Sequence, residues 1–121
     1  MRRIGILMSI LFTCLFSAAW SQAQAEPKHE FTTIDVPGAG DTVAIDINPE
    51  GVIVGFYLDP PNFAFQGFLR ARDGTITTFD APGAGTVYPM GTLGASINPA
   101  GAITGYYIDA SSVNHGFVRT Q

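Results

Sequence analysis

The residues with the most capacity for chemistry begin with Asp46-Ile-Asn48-Pro-Glu50-Gly51, which sets three oxygen-bearing side chains at alternate positions ahead of a glycine. That spacing is the opening of a calcium loop, where alternate oxygens face the ion and the glycine permits the bend. The loop needs a bidentate Glu where this chain has Tyr57, and the following residues read as a strand. A matching stretch carries Ser96, Asn98 and Ala100 instead, so two carboxylates are replaced while the turn residues stay. A hairpin turn without a metal is the expectation at both places.

Acid–base catalysis requires two carboxylates converging on one substrate. Asp35, Asp41 and Asp46 are close in sequence, but of these only Asp35 recurs, as Asp80. His115 has Ser111 and Ser112 nearby without a Gly-x-Ser-x-Gly elbow, and a local hydrogen bond is expected of it. Pro37-Gly-Ala-Gly40 and Pro82-Gly-Ala-Gly85 lack the Gly-Lys-Ser/Thr ending and the following helix of a phosphate loop. They read as bends between sheets, with Asp35 and Asp80 accepting backbone N–H bonds beside them. The sequence thus offers no catalytic, cofactor or metal set. The side chains best placed to meet a ligand are in loops: Asn62, Phe63 and Phe65, then Tyr88, then Asn114 and His115. Their rings and amides suit a sugar or a peptide, and packing beneath the loops is the competing use of the aromatics.

Residues 1–25 read as a secretory signal: Arg2 and Arg3 precede an apolar run from Ile4 to Ala19, and Ala23-Gln24-Ala25 is a small-x-small cleavage site. The mature chain is then expected to start at Glu26, with a polar leader over 26–30 and a β domain over 31–121. It is expected in the periplasm or outside the cell, with no membrane association after cleavage. The one cysteine, Cys14, lies inside the apolar run, which removes disulfides and thiolate chemistry from the mature chain. Four Lys and Arg against ten Asp and Glu give the mature chain a net charge of −6. Lys28, Arg70, Arg72 and Arg119 are scattered, so nucleic acid is not an expected partner.

The elements that must position these side chains come from a duplication. Phe31-Thr-Thr-Ile-Asp-Val-Pro-Gly-Ala-Gly40 matches Ile76-Thr-Thr-Phe-Asp-Ala-Pro-Gly-Ala-Gly85. Ile47-Asn-Pro-Glu-Gly-Val-Ile-Val-Gly-Phe-Tyr-Leu-Asp59 matches Ile97-Asn-Pro-Ala-Gly-Ala-Ile-Thr-Gly-Tyr-Tyr-Ile-Asp109, and Gly67-Phe-Leu-Arg70 matches Gly116-Phe-Val-Arg119. Repeat one covers about 31–75 and repeat two about 76–121. Each predicts four strands: about 32–36, 43–47, 52–58 and 65–71 in the first, and about 75–81, 93–97, 102–108 and 116–120 in the second. Asn48-Pro-Glu-Gly51 and Asn98-Pro-Ala-Gly101 predict tight hairpins, and Asp73-Gly74 a two-residue hairpin. Ile53, Gly55 and Tyr57 share one strand face with their counterparts Ile103, Gly105 and Tyr107, the expected place of closest packing.

The turns put the last three strands of repeat one in a sheet with the first strand of repeat two. Pairing of residues 32–36 with 116–120 would complete a second sheet. The expected fold is all-β: two four-stranded antiparallel sheets from a duplicated propeller-blade-like repeat, packed as a small sandwich or an incomplete propeller. Several chains building one propeller is the rival arrangement.

These blocks resemble extracellular repeat proteins of the HAF type, here in two copies. The resemblance rests on Gly-Phe-Leu/Val-Arg, the Asp-Gly turn before Thr-Ile-Thr-Thr-Phe-Asp, Pro-Gly-Ala, and Ile-Asn-Pro-x-Gly followed by Ile-x-Gly-x-Tyr. It implies export and propeller-like β repeats, and it assigns no activity to particular residues. The expectation is an exported non-enzymatic module that binds or assembles through its loops, with an envelope glycan, a protein or a second copy as partner. The alternatives are a small secreted hydrolase using loop carboxylates and a fragment of a longer repeat protein.

Overall fold

In a computed structural model describing residues 26–121, β-branched and aromatic runs between Gly- and Pro-rich turns form seven strands, with no helix among the described residues. The expected signal at 1–25 lies outside the described residues. The strands are β1 (Thr42–Ile47), β2 (Ile53–Asp59), β3 (Ala64–Arg70), β4 (Ile76–Phe79), β5 (Gly91–Ile97), β6 (Ile103–Ile108) and β7 (Asn114–Arg119). All belong to residues 33–121, which make one compact unit.

The Asn-Pro-x-Gly turns close as their residues require: Gly51 N–H donates to the Asn48 carbonyl at 3.0 Å and Gly101 N–H to that of Asn98 at 2.9 Å. The Asn48 side chain adds an Asx turn, its Oδ1 accepting from the Glu50 and Val52 N–H groups. At Asp73-Gly74 the loop takes three residues, with Ala71 N–H donating to the Thr75 carbonyl at 2.8 Å.

The strands run β1-β2-β3-β5-β6-β7 in one open sheet, with β4 also paired to β3. Two separate four-stranded sheets are therefore not what forms. β4 covers Gly67 to Arg70 of β3, and further along the same edge Phe65 pairs in parallel with Gly91 of β5. Gly91 makes this possible. Its φ is 127°, and a Cβ there would stand 2.0 Å from the Phe65 carbonyl oxygen. Phe65 N–H donates to the Met90 carbonyl at 2.8 Å across the same junction.

Residues 32–36 form no strand, and β7 pairs with β6 alone among the described residues. The expected closure of a second four-stranded sheet by this segment is thus replaced by packing. Val36 is buried against Tyr57 and Phe68, with Ile34, Ala39, Ile53 and Ile76 around it. Val36 N–H also donates to Thr42 Oγ1 at 3.0 Å, which draws the segment over the face of β2 and β3 and away from the β7 edge.

A flat sheet would set β1 and β5 three strand spacings apart, roughly 14 Å. Asp46 Oδ2 in β1 instead lies 2.9 Å from Ile97 N in β5. The sheet is folded over, so that β2 faces β5 and β6. Val54, Ile97 and Ile103 form the core between the layers, with Val52, Leu69, Phe79 and Phe117 packed on it. Close approach explains the glycines of the shared strand face: a Cβ at Gly55 would meet Val43 O at 2.0 Å, and one at Gly105 would meet Leu93 O at 2.1 Å.

Candidate functional site

The register of β2 against β3 sets Tyr57 opposite Gln66 and Asp59 opposite Ala64. Alternation then places the three polar side chains on one face. Tyr57 Oη donates to Gln66 Oε1 at 3.0 Å, and Gln66 Nε2 donates to Asp59 Oδ2 at 3.1 Å. Burial pushes the Tyr57 phenol above its ordinary pKa, and the Asp59 and Asp80 charges add to the shift.

Beside this chain of hydrogen bonds is a cleft of about 170 Å³ lined by Asp59, Asn62, Phe65, Gln66, Asp80 and Thr86 among others. Two loops meet there, since Tyr88 N–H donates to the Asn62 carbonyl at 3.1 Å. The Tyr88 ring, 58 % exposed, lies 5.7 Å from that of Phe65. Phe65 has a second contact, edge-on to Phe56 at 5.5 Å, so the same ring serves the fold and the cleft. Phe63 is turned elsewhere. Its backbone is left-handed at φ 54°, and its ring lies over Gly40, 3.0 Å from where a Cβ would be.

Asn114 and His115 occupy the corresponding place in the matching sequence block, apart from the cleft. Tyr107 pairs with His115 across β6 and β7, and their rings stack at 4.9 Å. His115 Nε2 lies 2.9 Å from Asp109 Oδ2, and since a carboxylate can only accept, the ring N–H donates. The His115 hydrogen bond, with the Val113 and Ser111 N–H groups behind it, holds the Asp109 carboxyl below its ordinary range. The matching segment thus keeps the bond to the aspartate but replaces the Tyr57–Gln66 hydrogen bond with the stacking of Tyr107 on His115.

Asp46 and Asp80 also have structural partners. Asp46 accepts from Ile97 N–H, Ser96 Oγ and Ile47 N–H, and these bonds lower its pKa. Asp80 accepts from the Thr92 hydroxyl, which itself accepts the Ala81 N–H at 2.9 Å. The threonine relays the backbone bond expected directly at the aspartate. Among the described residues no three of His, Cys, Asp and Glu are grouped to hold a metal.

Of the residues that line this cleft, the sequence singles out Asn62 and Phe65 but not Asp59, Gln66 or Asp80, and Tyr88 stands outside the lining against the Phe65 ring. The signal for Gln66 was its place opposite His115 in the alignment of repeats, where an amide replaces an imidazole with the same hydrogen-bonding reach. Comparison with protein-family models, with curated proteins and with solved structures finds no match.

Proposed function

We propose that the chain is an exported, non-enzymatic binding module built from two propeller-blade-like repeats, and that its cleft takes an envelope glycan. The observation that carries the reading is the meeting of two loops that differ between the repeats, the first lining the cleft with Pro60, Pro61 and Asn62 and the second with Thr86, joined by the Tyr88 N–H bond to the Asn62 carbonyl. A ring at the border of the cleft such as Tyr88, set against the lining Phe65, stacks on the C–H face of a sugar, while Asn62, Gln66 and the two carboxylates inside match its hydroxyls as donors and acceptors. The resemblance to extracellular HAF-type repeats and the signal-like N-terminus support export.

A hydrolase using Asp41 and Asp46 has less support, because Asp46 is engaged by three donors from β1 and β5. Titration calorimetry against a panel of soluble oligosaccharides tests the proposal. Tyr88→Ala and Asn62→Ala are expected to weaken binding at least about tenfold, on the order of a lost stacking or hydrogen-bonded contact, at unchanged Tm. Absence of binding across the panel, or full binding by both variants, would sink it.

A further inference from the structure

The contact between the two repeats is one that the molecule can make again. In it, β4 lies along β3 with Phe79 opposite Gly67, Thr78 opposite Phe68, Thr77 opposite Leu69 and Ile76 opposite Arg70. The Phe79 ring fills the space above Gly67, where a Cβ would come within 2.3 Å of it. On its other side the ring meets Phe117 of repeat two at 6.2 Å. Phe79 is thus a wedge between the layers, together with Val54 and Leu69 facing Ile97 and Ile103.

Each part of this contact has an unused counterpart. Gly116 corresponds to Gly67, and a Cβ there would meet nothing closer than the Gly105 carbonyl at 4.0 Å. Val118, matching Leu69, is 69 % exposed, and Tyr106, matching Phe56, is 40 % exposed. These residues alternate onto the face of β6 and β7 opposite the one carrying Ile103 and Phe117. The complementary half is at the other end of the chain. Ile34 corresponds to Phe79 and rests on the Val36, Tyr57 and Phe68 cluster, as Phe79 rests on the core of repeat two. Ile47 is 60 % exposed, whereas its counterpart Ile97 is 7 % exposed at the layer interface. Among the described residues β7 also keeps one edge unpaired, and an unprotected edge is a template for another strand.

We infer that a second copy of this chain docks head to tail on this surface, its segment 31–34 pairing along β7 as 76–79 pairs along β3. The register follows from the internal contact: Gly116 opposite Ile34 of the second copy, Phe117 opposite Thr33, Val118 opposite Thr32 and Arg119 opposite Phe31. Ile34 then fills the space above Gly116, and Ile47 covers the layer containing Thr104 and Tyr106. Such an interface joins two different surfaces, so it propagates until the rotation closes a ring. Two copies supply four repeats, about the smallest number at which blades close. This surface is separate from the cleft, and it stands or falls without the glycan.

The test uses the full chain. Light scattering is expected to give the mass of two or more chains, and Gly116→Trp, which the single chain has room for, is expected to reduce it to one chain with an unchanged circular dichroism spectrum. Independently, Ile34→Cys combined with Gly116→Cys in a Cys14→Ser background is expected to form disulfides between chains on a non-reducing gel. A Val113→Cys partner in place of Gly116→Cys is expected to form none. A wild-type chain that stays single, a mass that Gly116→Trp leaves unchanged, or a double-cysteine chain without a disulfide between copies would overturn the inference.

Discussion

Gly67 is small because Phe79 occupies the place of its side chain. The ring is held on its far side by the Val54, Ile97 and Ile103 core, so it cannot slide away from an added methyl group 2.3 Å distant. Gly67→Ala is therefore expected to cost about 1–3 kcal/mol in urea unfolding, the range for overpacking a filled core. A loss below about 0.5 kcal/mol would show that the ring yields. Single residues also mark how far the sequence could be read. Tyr57, on an apolar alternating face, announces the need for a hydroxyl partner; that Gln66 is the partner depends on cross-strand register. Register is set between strands, and no local pattern displays it. For the same reason Asp59 and Asp80 could not be assigned to the cleft, although both were in view.

At the scale of elements, the strands set by local turn chemistry were legible, while the strand expected at 32–36 does not form. Asn-Pro-x-Gly fixes the hairpins before β2 and β6 within four residues. The register shifts between Ala44 and Asp46 and between Gly94 and Ser96 recur at matching positions. They insert Ile45 and Ala95 as bulges that alternation alone does not reveal. Residues 32–36 have the composition of β4, yet in the single chain they meet a hydrophobic face and no strand edge. Their contribution comes from Val36, 7 % exposed. Val36→Ala removes two buried carbon groups and is expected to lower stability by about 1–2 kcal/mol, at roughly 0.8 kcal/mol per group. Thr33→Ala, on the exposed side of the same segment, is expected to stay within about 0.5 kcal/mol. Equal effects of the two would mean that the segment packs differently.

The whole molecule depends on the sheet folding over, and the polar tie across that fold is Asp46. Its carboxylate reaches from β1 to the Ile97 N–H and Ser96 hydroxyl of β5, while Asn48 Nδ2 donates to the Asn98 carbonyl at 3.2 Å nearby. Residues at matching positions of the two sequence blocks thus meet directly, and where the first has the carboxylate of Asp46 the second has the donor, Ser96. The sequence displayed this asymmetry as a lost ligand position, and only the stacking of the layers gives it a purpose. The bond from Ile97 N–H, followed by that from Ser96, holds the folded pKa of Asp46 below the ordinary aspartate range. A depressed folded pKa contributes stability that is present above the unfolded value and is lost as pH falls through the folded one. Asp73 and Asp109 are shifted the same way, by the Thr75 N–H and by His115 respectively. Thermal stability is therefore expected to decline on acidification below about pH 4, near the unfolded aspartate value. Asp46→Asn should lower Tm at pH 7 and make the acid decline shallower than in the wild type, because the amide has no charge to lose and its NH₂ group faces donors. Melting curves at intervals from pH 7 to pH 2 check this. Parallel declines in the two proteins would show that the Asp46 charge does not hold the layers together.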